Sequence, residues 1–152
     1  MSRSPARRDV SGFTLMELVV VLAVLATVTA FALPSIRRGS EGLQLRSGAS
    51  RVASLLREGR QQAVTHRRPT RVALESNHRA VALAFVDSDE PLRRIELSER
   101  FRLTATDGGD ALTFSPRGVG KDARWTVEGP GGRRLVVEVH GITGRVAVVP
   151  AP

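Results

Sequence analysis

Glu17 is the residue of this sequence whose position most requires a chemical explanation. It is the one charged side chain in a run of 21 residues, 13–33, that is otherwise almost entirely apolar. A carboxylate near the centre of a bilayer costs about 2.5–3.5 kcal/mol, and less near the interface. The positive end of its own helix offsets part of this cost when the acid lies in the first turn. The pattern therefore predicts either a cationic partner for Glu17 or an acid that is tolerated at the interface.

Arginine supplies almost all of the positive charge of the chain. The formal net charge is +8, and 22 of the 23 basic residues are Arg, with Lys121 the exception. The planar guanidinium binds phosphate and carboxylate through paired hydrogen bonds, so this bias fits anion recognition. The other interpretation is a solvated, arginine-biased surface that reflects genome composition. Two basic clusters stand out: Arg67, Arg68 and Arg71, and Arg133, Arg134 and Arg145.

Residue types that carry catalysis or bind metals show no productive spacing. The three histidines, His66, His78 and His140, have no His-x-x-x-His spacing, and there is no nucleophile elbow or phosphate-binding glycine loop. Asp87, Asp89 and Glu90 offer oxygens to Ca²⁺, but further ligands are missing, and a solvated turn is the preferred interpretation. Without Cys, thiolate metal sites and disulfides are excluded. We predict a non-enzymatic protein with no metal and no cofactor.

The apolar run 13–33 is long enough to cross a bilayer as a helix, which takes about 20 residues. Arg3, Arg7 and Arg8 precede it, and a positive flank of this kind favours a cytoplasmic N-terminus. An ordinary secretory signal is the alternative, since residues 30–32 read Ala-Phe-Ala, but the run exceeds the roughly 7–15 residues of a signal core. We predict a single transmembrane helix with the N-terminus in the cytoplasm and the body of the chain outside.

The body of the chain reads as one helix followed by short strands. Pro34 is expected to kink or end the first helix, because proline lacks an N–H and clashes with the preceding turn. An amphipathic helix is predicted over residues 43–66, with an apolar stripe that includes Leu45 and Val64, and Pro69 ends the helical pattern. Beyond it the apolar period becomes two, in about eight segments separated by glycine-rich turns. The predicted class is α+β, with an antiparallel sheet or two small sheets.

The start of the chain resembles a known signal. Residues 12–17 read Gly-Phe-Thr-Leu-Met-Glu before the apolar run, which resembles the class III signal of type IV pilins and pseudopilins. The resemblance implies that a prepilin peptidase cuts after Gly12 and that the new amine of Phe13 is methylated. It also implies that Glu17 pairs with the N-terminal amine of a neighbouring subunit in a filament. Pro34 falls where pilins carry a helix-breaking proline.

The remaining landmarks resemble the GspH/FimT domain. They are the helical segment 45–74, the LTFSPRG motif at residues 112–118, and Gly-Arg-Val at residues 144–146. The resemblance covers residues 12–149 and implies a pilin-like fold with a long N-terminal spine helix. It implies four regions: a leader at 1–12, a transmembrane and assembly helix at 13–33, an amphipathic helix at 34–66 and a β-rich periplasmic domain at 67–152.

The function implied by this resemblance is that of a minor pseudopilin at the tip of the periplasmic pseudopilus of a type II secretion system. The expected partners are the prepilin peptidase, other major and minor pseudopilins, the inner membrane and a secreted exoprotein. One alternative is a FimT-like minor pilin that binds DNA in natural transformation through Arg145, Arg133 and Arg134. That motif is Gly-Arg-x-Arg, and here Ala147 replaces the second Arg. Another alternative is a minor pilin that primes type IV pilus assembly.

Overall fold

The computed structural model describes residues 14–151, apart from the side chains of residues 31–39. Gly12 and Phe13 lie outside the described residues. The chain divides into two compact units, Met1–Arg38 and Gly39–Pro152. A single helix, α1, runs from Leu15 to His66. Since Pro34 falls inside this range, the helix does not end at the proline, and a kink there stays a prediction.

Eight strands follow the helix. They are β1 (Thr70–Leu74), β2 (Ala80–Phe85), β3 (Pro91–Glu96), β4 (Arg102–Asp107), β5 (Ala111–Phe114), β6 (Ala123–Glu128), β7 (Arg134–His140) and β8 (Arg145–Pro150), with a 3₁₀ turn at Pro130–Gly132. They form two antiparallel sheets of four strands, in the orders β3-β2-β1-β5 and β4-β6-β7-β8. The predicted α+β class and the predicted number of strands are confirmed, and of the two arrangements considered the chain adopts two sheets.

The C-terminal part of α1 packs on both sheets and closes one core. Its buried residues recur at helical spacing: Leu45, Ala49, Val52, Ala53, Leu55, Leu56 and Ala63. Val64, which the spacing placed on this stripe, is exposed, and Leu55 is buried instead. Gly59 lets the helix approach the first sheet, because a Cβ there would lie 2.7 Å from Cγ2 of Val72. The buried Thr70 hydroxyl donates to the Gly59 carbonyl oxygen at 2.8 Å, which links β1 to the helix.

Candidate functional site: the exposed helix and two arginine grooves

Glu17 lies in the first turn of α1, where the helix is capped by Thr14. The Glu17 N–H donates to Thr14 Oγ1 at 3.2 Å and to the Thr14 carbonyl oxygen at 3.1 Å. Thr14 is therefore the N-cap, and Glu17 is the third helical residue, as in a capping box. Its carboxylate is exposed and makes no ion pair with any described residue. The local dipole favours the charge without neutralising it.

The apolar side chains that follow Glu17 are exposed within the chain. Leu15 and Met16 are 81% and 71% exposed, and the large side chains from Leu18 to Val28 are all more than 40% exposed. The hydroxyls of Thr27 and Thr29 donate to carbonyl oxygens one turn earlier, at 2.8 and 2.7 Å. Their polar hydrogens are thus satisfied within the helix. Exposed contiguous apolar surface of this kind marks an interaction or membrane surface.

Among the residues that the structure describes with their side chains, no helix is long and apolar enough to span a bilayer.

In the first arginine cluster, Arg68 is occupied by local contacts. Arg68 pairs with Asp87 at 2.6 Å, and its guanidinium lies 4.3 Å from the centre of the Phe85 ring. The hydrogen bond from Arg68 holds the pKa of Asp87 below its ordinary value. Asp87 neutralises Arg68, so the Arg68 charge is not available to an external anion. The pair instead links the segment before β1 to the turn after β2. Within the described part of the chain, no three His, Asp or Glu side chains gather as a metal site would require.

The second arginine cluster is divided between two grooves beside α1. Arg133 and Arg134 line a groove of about 640 Å³, and on the helix side its walls carry Arg46 and Arg57. We call this the α1–β8 groove. Arg145 lines a smaller groove of about 340 Å³ together with three residues of α1, which are Arg57, Arg60 and Gln61. We call this the Arg145 groove. Arg57 belongs to both, so the two grooves adjoin.

Sequence reasoning missed the three helical arginines that complete these grooves. Arg46, Arg57 and Arg60 are separated by 11 and 3 residues, which brings them to nearly the same side of an α-helix. The spacing was therefore visible in the sequence. What it could not indicate is which strands this side of the helix meets.

Arg60 and Arg57 also hold the helix to both sheets. Arg60 Nε donates to the Gly118 carbonyl oxygen at 3.1 Å, and Arg57 Nη2 donates to the Val146 carbonyl oxygen at 2.9 Å. Gly118 and Gly144 have φ values of +75° and +65°, and a Cβ at Gly144 would collide with the Arg60 side chain. The two glycine landmarks at residues 118 and 144 thus share a physical role: they make room for one guanidinium.

Comparison with known proteins matches two family models to separate parts of the chain. The family model described as "Type II transport protein GspH" matches residues 48–142, and that of the "Prokaryotic N-terminal methylation motif" matches residues 7–33. The type II secretion system protein H of Xanthomonas campestris pv. campestris is 32% identical over 73 residues. That alignment spans 48% of this chain and 43% of the relative's length.

Two solved structures share the fold. The type IV minor pilin FimU of Pseudomonas aeruginosa matches with a TM-score of 0.63 and 20% identity, over 73% of this chain and 92% of that one. The minor pseudopilin EpsH from the type 2 secretion system of Vibrio cholerae matches with a TM-score of 0.57 and 13% identity, over 70% and 97%. The predicted pilin-like fold is confirmed. The chain belongs to the GspH family of minor pseudopilins and pilins, the structural proteins of type II secretion and type IV pilus machines.

Proposed function

We propose that this protein is a non-enzymatic minor pseudopilin at the tip of a type II secretion pseudopilus. In this proposal a prepilin peptidase cuts after Gly12 and the amine of Phe13 is methylated. Residues 13–33 anchor the chain in the inner membrane with the N-terminus cytoplasmic, and residues 39–152 occupy the periplasm. Other pseudopilins then take up the helix, and the filament acts on a secreted exoprotein.

The observation that carries the proposal is the carboxylate of Glu17, which no described residue neutralises, at the head of an exposed apolar helix. Cleavage after Gly12 would put a positive amine on Phe13, four residues before Glu17. In a bundle of apolar helices, opposite charges from adjacent subunits stabilise each other, and removal of one leaves the other buried without a partner. The folded unit buries its own core with the C-terminal part of α1. The exposed apolar part of α1 before residue 30 is therefore left available for neighbouring subunits.

Substitution of Glu17 tests this role. We expect Glu17→Gln, which keeps the shape and removes the charge, to reduce cross-linking into the filament by about tenfold or more, as loss of a buried partner costs roughly 3–5 kcal/mol. Secretion of the exoprotein should fall in parallel. Glu17→Asp is the matched control and should retain part of the function. Mass spectrometry of the mature chain should still show cleavage after Gly12 and a methylated Phe13.

Two results would contradict the proposal. Normal incorporation of the Glu17→Gln chain would remove the assembly role of this carboxylate. If cells that carry the Glu17→Gln chain lose their surface pili but secrete the exoprotein normally, the chain would be assigned to a type IV pilus, like the minor pilin FimU.

DNA binding is a second candidate function, and the Arg145 groove favours it. Arg145, Arg57 and Arg60 lie together there, and each phosphate that an arginine neutralises adds salt-sensitive affinity. A gel shift at about 0.15 M salt, where weak non-specific attraction is largely screened, tests the idea. Binding that survives this salt and falls with Arg145→Ala, but not with the exposed Arg117→Ala, would support DNA uptake. Under the secretion proposal we expect weak binding that is indifferent to Arg145.

A further inference from the structure

We propose that the α1–β8 groove binds an extended acidic segment of a partner protein. The groove lies wholly within the unit Gly39–Pro152, between the helix and the β7–β8 hairpin. This inference rests on the proposed function and specifies the chemistry of one of its partners. It concerns a surface that neither the processing of the N-terminus nor Glu17 uses.

The rim of the groove is positively charged. It carries the side chains of Arg46, Arg57, Arg133 and Arg134, and no acidic residue lines it. Arg134 is partly neutralised by Glu128 at 3.4 Å. In the described part of the chain, Arg46 and Arg57 form no ion pair. A carboxylate that enters the groove would therefore receive charge-assisted hydrogen bonds from two guanidinium groups that no described carboxylate neutralises: Arg46 and, beside its bond to the Val146 carbonyl oxygen, Arg57.

The floor of the groove is apolar, which favours a peptide over a nucleic acid. Leu45 is only 4% exposed, and the partly buried Leu135 and Val148 pack against the core. The charged phosphates that dominate DNA binding gain no free energy from contact with such a floor. A peptide that carries both acidic and apolar side chains satisfies the rim and the floor together, since the apolar groups gain free energy by leaving water.

The edge of β8 limits how such a segment can bind. Ala151 N–H donates to the Arg134 carbonyl oxygen, so the alternate residues Val146 and Val148 direct their backbone groups away from β7. The carbonyl of Val146 is already occupied by Arg57, and Pro150 has no N–H. Among the outward-facing residues of β8, Val148 is the one whose N–H and C=O both lack a hydrogen-bond partner among the described residues. The segment is therefore held chiefly by its side chains, and not as a full additional strand.

Peptide binding to residues 39–152 tests the inference, since this fragment contains every residue of the hydrophobic core. The probe is a fluorescent nonapeptide of alternating Glu and Val, measured by anisotropy at about 0.15 M salt. Arg46→Glu should weaken binding by about tenfold or more, a factor worth about 1.4 kcal/mol. Arg51→Glu is the matched control, because it makes the same charge change on the same helix but lies outside the groove, beside Arg93. It should change affinity by less than about twofold, because an exposed charge outside the groove contributes little to binding.

Two further probes report on the rim and the floor. A Lys–Val nonapeptide should not bind, and a Glu–Ser nonapeptide should bind more weakly than Glu–Val because it lacks apolar groups for the floor. Equal losses in Arg46→Glu and Arg51→Glu would overturn the inference, as would no binding at millimolar peptide. A 20-base-pair duplex that displaces the peptide and depends more strongly on Arg46 would instead make the groove a nucleic-acid site. None of these results bears on incorporation through Glu17, so the two proposals fail independently.

Discussion

At the scale of single residues, Arg60 contacts two loops that lie far apart in the sequence. Its guanidinium reaches the loop after β5 at Gly118 and packs against the turn between β7 and β8 at Gly144. Because those segments belong to different sheets, one side chain of α1 restrains both. Residue 144 must be glycine for two reasons: its φ is positive, and the Arg60 side chain leaves no room for a Cβ.

The Gly144→Ala substitution tests this packing. We expect it to lower the free energy of unfolding of residues 39–152 by roughly 2–3 kcal/mol, since a left-handed residue with a side chain costs about 1–2 kcal/mol and a displaced hydrogen bond about 1 more. Gly109→Ala is the control, because Gly109 also has a positive φ but nothing lies within 4 Å of its Cβ position. If urea denaturation shows the same decrease in the free energy of unfolding for both variants, the Arg60 side chain can move away from residue 144 without destabilising the fold.

At the scale of elements, an ion pair crosses the outer face of the first sheet. Arg94 of β3 makes a two-pronged contact with Glu75, at 2.6 and 2.9 Å, and a third bond to Glu96 at 2.9 Å. Strand β2 lies between Arg94 and Glu75. On this face it carries the small side chains of Ala80 and Ala82, so the Arg94 side chain can pass over it. The hydrogen bond from Arg94 lowers the pKa of Glu75 below its ordinary value of 4.5.

This pair predicts a pH dependence of stability. Since the pKa of Glu75 is lower in the folded than in the unfolded state, the pair stabilises the fold above about pH 4.5, and the contribution is lost as the pH falls through the folded value. We expect Glu75→Gln to reduce the drop in urea midpoint below pH 4.5. A residual slope should remain, because the pKa of Asp87 is lowered in the same direction by Arg68.

The matched control for Glu75 is Glu99. Its carboxylate lies 3.6 Å from Arg79 and is 91% exposed, so solvent screens the pair. Glu99→Gln should leave the acid profile unchanged. An unchanged profile in Glu75→Gln as well would show that the pair of Glu75 and Arg94 contributes nothing to the acid dependence of stability.

At the scale of the whole molecule, the hydrophobic core is confined to residues 45–146. The exposed apolar side chains are concentrated in the helix before residue 30. The chain therefore combines a unit that buries its own apolar surface with a segment that leaves its apolar surface for other molecules.

This division predicts the behaviour of a truncated chain. Residues 39–152 should be a soluble monomer that unfolds in one cooperative transition, because no buried residue of the core is removed. Size-exclusion chromatography with light scattering and a circular dichroism melt would check this. Aggregation that persists at neutral pH would reveal a second apolar patch on the folded unit.

The N-terminal signal, the eight strands and the family can be recognised from the sequence alone, because they depend on local order. Residues 12–17 form a contiguous motif, and alternation along a strand reports which face is buried whatever that face contacts. The same reasoning misplaced Val64, since periodicity gives the direction of a helical stripe but not its width. Only the tertiary structure decided how the strands divide into two sheets and which side chains gather. Arg57 is hydrogen-bonded to Val146, 89 residues later in the sequence, and Arg60 to Gly118, 58 residues later. These contacts form because the helix and the sheets pack around a shared core, which no local pattern encodes.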